Sequence, residues 1–429
     1  MKFKINKTYN HFWLLVFIMS VLSQQSFSQL FYSGNIDENR YYLSLNSELG
    51  FNSNKLNNKF AGSFYKGEFL DHSMKTDALN GLNTTYNVLG FLFNTDLYVN
   101  IPGKKNNPPR RINYYAGLEN HNMMELRFNR NFFQLFFFGN KDFTNQFLIL
   151  KNLSLNYLNF QQIKVGINKA WQKNNSRHVL TAGIGFNNGQ SLQQYELPYG
   201  TIYTQKDAEF INLQMELGMK RSDTLNSKFG AENGWGFSAD LGYTYQDESN
   251  LFQCQLEDIG FIRWKKNSQH YDKDTIVYFD GIEINNLIDI SGETISGSSA
   301  DTILNAFAYA KKNAAFTETI PMKFYLSYKR YFFKRWLSLS VSFNHYFFSL
   351  YRPQIRFVPA VNIPVKNSVI SISPSIEAGG YGRYNYGLGL SAAINKKFYV
   401  EIQTAYLNSY IFPKKSAGLG GFISIIKTL

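Results

Sequence analysis

The stretch whose reading decides the fold runs from Trp336 to Phe348, WLSLSVSFNHYFF. Ser338, Ser340, Ser342 and Asn344 alternate with Leu337, Leu339, Val341 and Phe343. Side chains point to opposite faces in turn along a β-strand, so this segment has one greasy face and one small polar face. A soluble sandwich or propeller also alternates, but with shorter strands and more charge on its wet face. Here the polar face is serine and asparagine. That composition suits the inside of a narrow barrel whose greasy face meets lipid.

The same period recurs along the chain. In YYLSLNSELGF (Tyr41–Phe51), Tyr41, Leu43, Leu45, Leu49 and Phe51 share a face opposite Tyr42, Ser44, Asn46 and Glu48. In WGFSADLGYTYQ (Trp235–Gln246), the row from Trp235 to Tyr245 is apolar, while Ser238, Asp240 and Thr244 lie opposite. Many segments hold ten or more residues, near the ~9–11 that cross a bilayer at a tilt and above the ~5–6 of an ordinary strand. Roughly 14 strands are expected on that template. They centre near Leu45, Leu92, Tyr115, Leu158, Thr181, Leu213, Leu241, Leu256, Tyr325, Val341, Arg356, Ile372, Leu390 and Ile402. A closing strand near Ile423 makes one more than an even number, so one of these does not belong to the wall. The segment around Arg356 is the weakest. The expected fold is therefore all-β, a transmembrane antiparallel β-barrel of about 14 strands.

Composition agrees. Aromatic residues make up 17% and charged residues 17%, the latter against a usual ~25%. Trp235, Tyr245 and Trp264 are placed to form an interfacial girdle. Lys173–Ser176, Asn188-Gly189, Asn395–Lys397 and Pro413–Lys415 read as short turns. Residues 52–83, 190–206 and 265–319 read as long hydrophilic connections. Short turns at one rim and long loops at the other are the expected arrangement. Within the Lys265–Thr319 insertion, Ser298 caps an expected helix with Asp301 three residues on, and Ile303, Phe307 and Ala310 on one face. That helix either covers a rim or folds into the lumen as a plug.

Lys2, Lys4 and Lys7 precede an apolar run from Phe12 to Leu22, and Ser26-Phe27-Ser28 then supplies small residues. This is the pattern of a cleaved signal peptide, residues 1–28, and the run is too short for a spanning helix. A segment 29–39 and a barrel over 40–429 would follow. The expected location is the outer membrane of a Gram-negative cell. Cys254 is the single cysteine, so no internal disulfide exists. The net charge of +13 suits an anionic lipid surface. It does not indicate nucleic acid, because no basic run is interleaved with stacking aromatics in a recognisable module.

The order of several short motifs resembles a known family. LFFFGN (Leu135–Asn140) leads into LNYLNFQQIKVGI (Leu155–Ile167). FSADLGYTYQ is followed by LEDIGFIRW (Leu256–Trp264), then Tyr278-Phe279-Asp280-Gly281, then Ile320-Pro321. This order resembles a Bacteroidota outer-membrane β-barrel family of unknown function, similar to fatty-acid-channel (FadL-type) barrels and type IX secretion barrel proteins. The resemblance runs from about Tyr41 to the end. It implies a barrel of ~14 strands, no enzyme activity and no established ligand. Leu419, Gly421, Ile423, Ile425 and Leu429 form a terminal row that resembles the signal read by barrel assembly machinery, although the chain ends in leucine where phenylalanine is common.

No catalytic constellation emerges. His11, His72, His121, His178, His270 and His345 lack the spacing or cysteine companions of a zinc site, so neither metal nor cofactor is expected. Ser342 and His345 fall on opposite faces and cannot form a nucleophilic pair. The glycines of GIGFNNG (Gly183–Gly189) and GLGGF (Gly418–Phe422) precede no helix and make no phosphate cradle. The candidate lumen-facing polar residues are Asp240, Gln253, Gln255, Glu257, Arg263, Ser338, Ser340, Ser342 and Asn344. Asp258 would point to lipid, so a bulge is expected before Gly260 to turn it inward, with Arg263 in a luminal ion-pair network.

Two functions compete. One is a channel or transporter for a hydrophobic or small solute, for which a continuous apolar pocket is expected. The other is a non-transporting barrel that partners a secretion or envelope assembly, for which a lumen filled by side chains is expected. The implied partners are outer-membrane lipid, the barrel assembly machinery, and either a hydrophobic ligand or a secretion-system protein.

Overall fold

A computed structural model describes residues 40–103, 110–206, 210–226, 228–280, 313–395 and 397–429. The expected signal peptide, the segment 29–39 and the helix capped by Ser298 lie outside the described residues.

Seventeen strands follow one another: β1 (Tyr42–Ser53), β2 (Asn87–Pro102), β3 (Arg110–Phe128), β4 (Phe147–Lys173), β5 (Ser176–Thr204), β6 (Phe210–Arg221), β7 (Gly234–Gln246), β8 (Asn250–Trp264), β9 (Gln269–Asp280), β10 (Phe316–Thr319), β11 (Lys323–Phe332), β12 (Leu337–Tyr346), β13 (Arg352–Val365), β14 (Ser368–Gly380), β15 (Tyr384–Ile394), β16 (Phe398–Thr404) and β17 (Gly418–Thr428). β1 pairs with both β2 and β17, so the sheet closes on itself. Among the described residues, 14 strands form a closed antiparallel barrel. The ring runs β1–β2–β3–β4–β5–β7–β8–β11–β12–β13–β14–β15–β16–β17. Closure satisfies the backbone donors that an open edge would leave bare.

The surplus strand is the one around Leu213, and the strand around Arg356 is part of the wall as β13. β5 pairs with β7 over Arg177–Gly189 and then with β6 over Gln193–Thr204. β6 in turn pairs with β9. β4, β5, β6 and β9 thus carry a side sheet past the end of β7. Asn188-Gly189, expected as a turn, and residues 190–204 of the loop expected over 190–206 are therefore strand. Both sit in the 29-residue β5. β10 continues the line of β11 along β8, interrupted where Pro321 has no N–H to donate.

The alternation separates two faces as expected. Leu118, Ile163, Ile184, Phe237, Ile355 and Leu390 point outward and are between 52% and 66% exposed. Ser44, Ser238, Gln253, Ser338, Ser424 and their neighbours point inward and are buried. A continuous apolar outer band of this extent is far larger than a soluble monomer tolerates.

The two rims differ. At one, β4–β5, β7–β8, β11–β12 and β13–β14 join through the short turns 174–175, 247–249, 333–336 and 366–367. At the other lie the long connections. Residues 52–83 prove to be helical: α1 (Asn58–Tyr65) is capped by Asn57, whose side chain accepts from the Phe60 N–H, and α2 (His72–Gly81) by Asp71, which accepts from the Met74 N–H. α3 (Arg130–Phe138) is capped by Asn129 and stopped by Gly139 at φ 82. A short α4 (Leu407–Ile411) precedes β17. Phe60, Leu79, Phe133 and Phe137 of the first three helices pack together, against Leu89, Leu126 and Phe128 at outward-facing positions of β2 and β3. This apolar cluster braces the outside of the long-loop rim and leaves the lumen to other side chains.

Candidate functional site in the barrel interior

The interior is organised around one ammonium. β4 places Gln162, Lys164, Gly166 and Asn168 inward, opposite the outward row Ile163, Val165 and Ile167. Lys164 is 1% exposed. Its Nζ lies 2.8 Å from Asp258 Oδ1, 3.1 Å from Asp240 Oδ2 and 3.3 Å from Glu119 Oε1. These carboxylates come from β8, β7 and β3. The reach is possible because β5, between β4 and β7, presents glycine: Gly185 pairs with Lys164 on one side and Ser238 on the other. A Cβ at Gly185 would sit 2.4 Å from Ser238 Oγ and 3.3 Å from Lys164 Cγ.

A bulge completes the cluster. Between Ala239 and Leu241 of β7 the pairing with β8 slips from Ile259 to Leu256, leaving Glu257 and Asp258 opposite Asp240. Asp258 takes φ 62, and both Glu257 and Asp258 end up buried inside. The Asp258 N–H donates to Asp240 Oδ1 at 2.8 Å, and Gln162 Nε2 donates to Asp258 Oδ1 at 3.0 Å. This is the expected bulge, with a consequence the sequence reading missed. Beyond the bulge the parity of β8 reverses, so Ile262 and Trp264 turn inward and Arg263 turns outward. Arg263 is exposed, not luminal, and Trp264 is fully buried, not part of a girdle. The cation of the network is Lys164.

Around this core, His121 Nε2 lies 2.7 Å from Glu119 Oε2 and 2.9 Å from Gln162 Oε1. Both partners are acceptors, so Nε2 carries the proton. The ring stacks on Phe160 at 4.6 Å. Lys323 Nζ of β11 donates to Glu257 Oε2 at 3.1 Å. Donor atoms of Glu119, His121 and Asp258 lie within 4.8 Å of one another, a grouping able to hold a metal ion. The Lys164 ammonium already sits against both carboxylates, where a divalent cation would be repelled, so the grouping is an ion-pair network.

The other expected interior residues are brought to the same face. Gln253 and Gln255 are buried on β8, with Ser327 Oγ donating to Gln253 Oε1 at 3.3 Å. Ser338, Ser342 and Asn344 are buried on β12, and half-buried Ser340 donates to the Val358 carbonyl at 3.3 Å. They are wall, and they line neither chamber of the lumen.

Those chambers lie nearer the long-loop rim. The larger, with about 40 Å³ of space for water-sized guests, is lined by the carboxylates of Glu48, Asp96, Glu119, Glu257 and Asp258, with Lys323 and His121 as the basic groups. The smaller, with about 30 Å³ of such space, is lined by Leu192, Ile262, Trp264, Ile320 and Phe348 together with the polar Glu125, Asn156, Gln194 and Glu318. Met123, Leu158 and Pro321 border both. Beside them the lumen is filled: Tyr346, Tyr351 and Tyr381 stack against Val88 and Leu92 of β2. Glu125 of β3 ties this filling in place. Its Oε1 accepts from Tyr381 Oη at 2.7 Å, from the Leu350 N–H at 2.9 Å and from Ser349 Oγ. In ring order the β12–β13 loop stands across the barrel from β3, so these bonds span the lumen.

The family can now be stated. The chain belongs to a family of unknown function (DUF5723). The family profile matches residues 34–401, which takes in the barrel from β1 into β16. No curated protein sequence matches this DUF5723 member. Among solved structures it is similar to a deletion mutant of the monoaromatic hydrocarbon channel TodX (10% identity, 91% of this chain and 90% of that one, TM-score 0.41). It is also similar to the transport unit of the autotransporter AIDA-I from Escherichia coli (10%, 99% and 100%, 0.31) and to OprB from Pseudomonas putida (8%, 91% and 95%, 0.27). At such identities and scores none of them carries an argument about what this chain does.

Proposed function

We propose that this chain spans the outer membrane of a Gram-negative cell and admits a small polar solute into a lumen latched at its long-loop rim. The apolar outer band supports the membrane placement, because a closed barrel is one of only two ways a backbone can cross lipid. The observation that carries the solute reading is Glu125, whose carboxylate holds the inward-folded Ser349–Leu350 segment and Tyr381 beside two chambers. The carboxylates of the larger chamber favour a polar or cationic guest. The continuous apolar pocket expected for a greasy solute is not what the chambers offer.

Single-channel recording in planar bilayers tests this. Breaking a charged hydrogen bond of about 1.5–3 kcal/mol changes an opening equilibrium by roughly tenfold or more. Glu125→Gln and Ser349→Ala are expected to raise the open fraction to that extent. Folded variants that stay as silent as the parent would end the transport reading.

A non-transporting role in an envelope assembly is the second reading. It is favoured by the side sheet of β5, β6 and β9, which a channel does not need. Crosslinking from that sheet to a discrete protein, with silent bilayers, would favour it.

A further inference from the structure

We infer that the short-turn rim is a docking ring for anionic phospholipid headgroups. The inference rests on the membrane reading above. The turns of this rim carry Lys173, Lys334, Arg335, Lys366 and Lys397, all exposed. The acids among its described residues are Asp247 and Glu248, both in one turn. At the opposite rim some cations sit beside acids, as in Lys66–Glu68 at 3.6 Å and Lys265–Glu232 at 3.8 Å, while Lys414 and Lys415 stand exposed.

Lipid, rather than a soluble acidic protein, is indicated by where the strand-borne cations stand. The outward row Ile163, Val165, Ile167 ends in exposed Lys169. The row Leu326, Tyr328 ends in exposed Arg330, whose guanidinium lies 5.5 Å from the Phe332 ring. The row Ile423, Ile425 reaches exposed Lys427, with exposed Leu429 beyond it. Each cation continues an apolar row on the outer wall, at the level where acyl chains give way to phosphates. A soluble partner would instead meet groups facing along the barrel axis.

The turn 333–336 repeats the chemistry. Phe333, Lys334 and Arg335 take φ of 50, 52 and 72 in succession, a backbone that costs energy in residues other than glycine. It holds Phe333 and Trp336 exposed on either side of the two cations. Arg335 is fixed by the Glu248 carbonyl at 3.3 Å and lies 5.0 Å from the Tyr331 ring. Aromatic rings flanking cations at the edge of an apolar band match a headgroup interface.

The test reconstitutes the full chain into vesicles of phosphatidylcholine containing one part in three phosphatidylglycerol, and reads the lipids retained on the barrel by native mass spectrometry. Phosphatidylglycerol is expected to be enriched over its bulk share. Each of Lys169→Gln, Arg330→Gln and Lys427→Gln should lower that enrichment by up to about fivefold, the equivalent of one surface cation. The triple variant should fall below every single variant, and Lys66→Gln at the other rim should change nothing. Should the triple variant not fold, the single variants decide. No enrichment in the parent, or equal enrichment in the variants, would overturn the inference, as would an acidic protein bound at this rim without lipid preference. Failure to insert into any vesicle would overturn the membrane reading instead.

Discussion

Lys164 meets Asp258 at 2.8 Å across two strands, β5 and β7, the nearer of which gives it no side chain to pass. Three elements make this contact: a lysine in the polar row of β4, a glycine in β5, and a bulge in β8 that turns Asp258 inward. Separating the charges again would leave three acids crowded inside the barrel without their shared cation.

Lys164→Met removes the shared cation from three carboxylates. Breaking a buried ion pair from one side costs about 3–5 kcal/mol, and urea unfolding followed by tryptophan fluorescence should show a loss of that size. Asp258→Asn, which leaves Lys164 two acids, should cost clearly less. Equal losses would mean that the cluster does not act as a unit.

Gly185→Val fills the gap that Lys164 crosses. Overpacking of this kind costs about 1–3 kcal/mol, and here the new Cβ meets Ser238 Oγ at 2.4 Å and the Lys164 stem at 3.3 Å. In combination with Lys164→Ala the valine should cost less than it does alone, because the Cγ it strikes is gone. Strict additivity in a double-mutant cycle would refute the crossing as the cause.

Phe60→Ala empties the centre of the helical brace, where Phe60 is in ring contact with Phe133 at 5.2 Å and Phe137 at 5.0 Å. A Phe→Ala truncation in a packed core costs about 3–5 kcal/mol. The brace lies outside the ring of strands, so the loss should be local. Trypsin should cut between 53 and 83 in the variant while the barrel keeps its heat-resistant migration on gels. Collapse of the barrel itself would show that the brace belongs to the wall.

Asp247, in the β7–β8 turn, is held near a pKa of about 2. Partial burial works against its charge. Donors from the Asn250 side chain, the Ser249 N–H, the Tyr245 hydroxyl and the Asn250 N–H outweigh it. A carboxylate lowered in the folded state stabilises above its ordinary value, and loses that contribution as pH falls through the folded value. Protection of the Ser249 and Asn250 amides from exchange, corrected for intrinsic rate, should therefore stay level down to about pH 4 and decline toward about pH 2. Asp247→Asn should flatten the profile, and an unchanged profile would exclude this carboxylate.

Much of the barrel was legible in the sequence, because a period of two is a local property. Val341 and Ser342 choose faces by the pleat alone, and the rows of β1, β7, β12 and β15 stood as they were read. The helices α1 and α3 were missed although their signals are present: Asn57 and Asn129 are N-caps and Gly139 is a stop. Those signals sat in segments that looked like polar loops or strand-like aromatic runs, and only the mutual packing of Phe60, Phe133 and Phe137 makes helices of them. β5 ran through Asn188-Gly189 because its partner changes there from β7 to β6, and no turn is needed where a strand finds a new neighbour.

The sequence by itself thus determined the closed barrel, its two faces and the inward fate of Asp258, since each follows from spacing along one strand. Tertiary structure alone decided which cation answers Asp258. One inserted residue reverses every side chain beyond it, so Arg263 leaves the lumen, Trp264 enters it, and Lys164 takes the place between the acids. That exchange depends on the order of the strands around the ring and on the side chain that β5 lacks at Gly185, and neither is written in the period of a single segment.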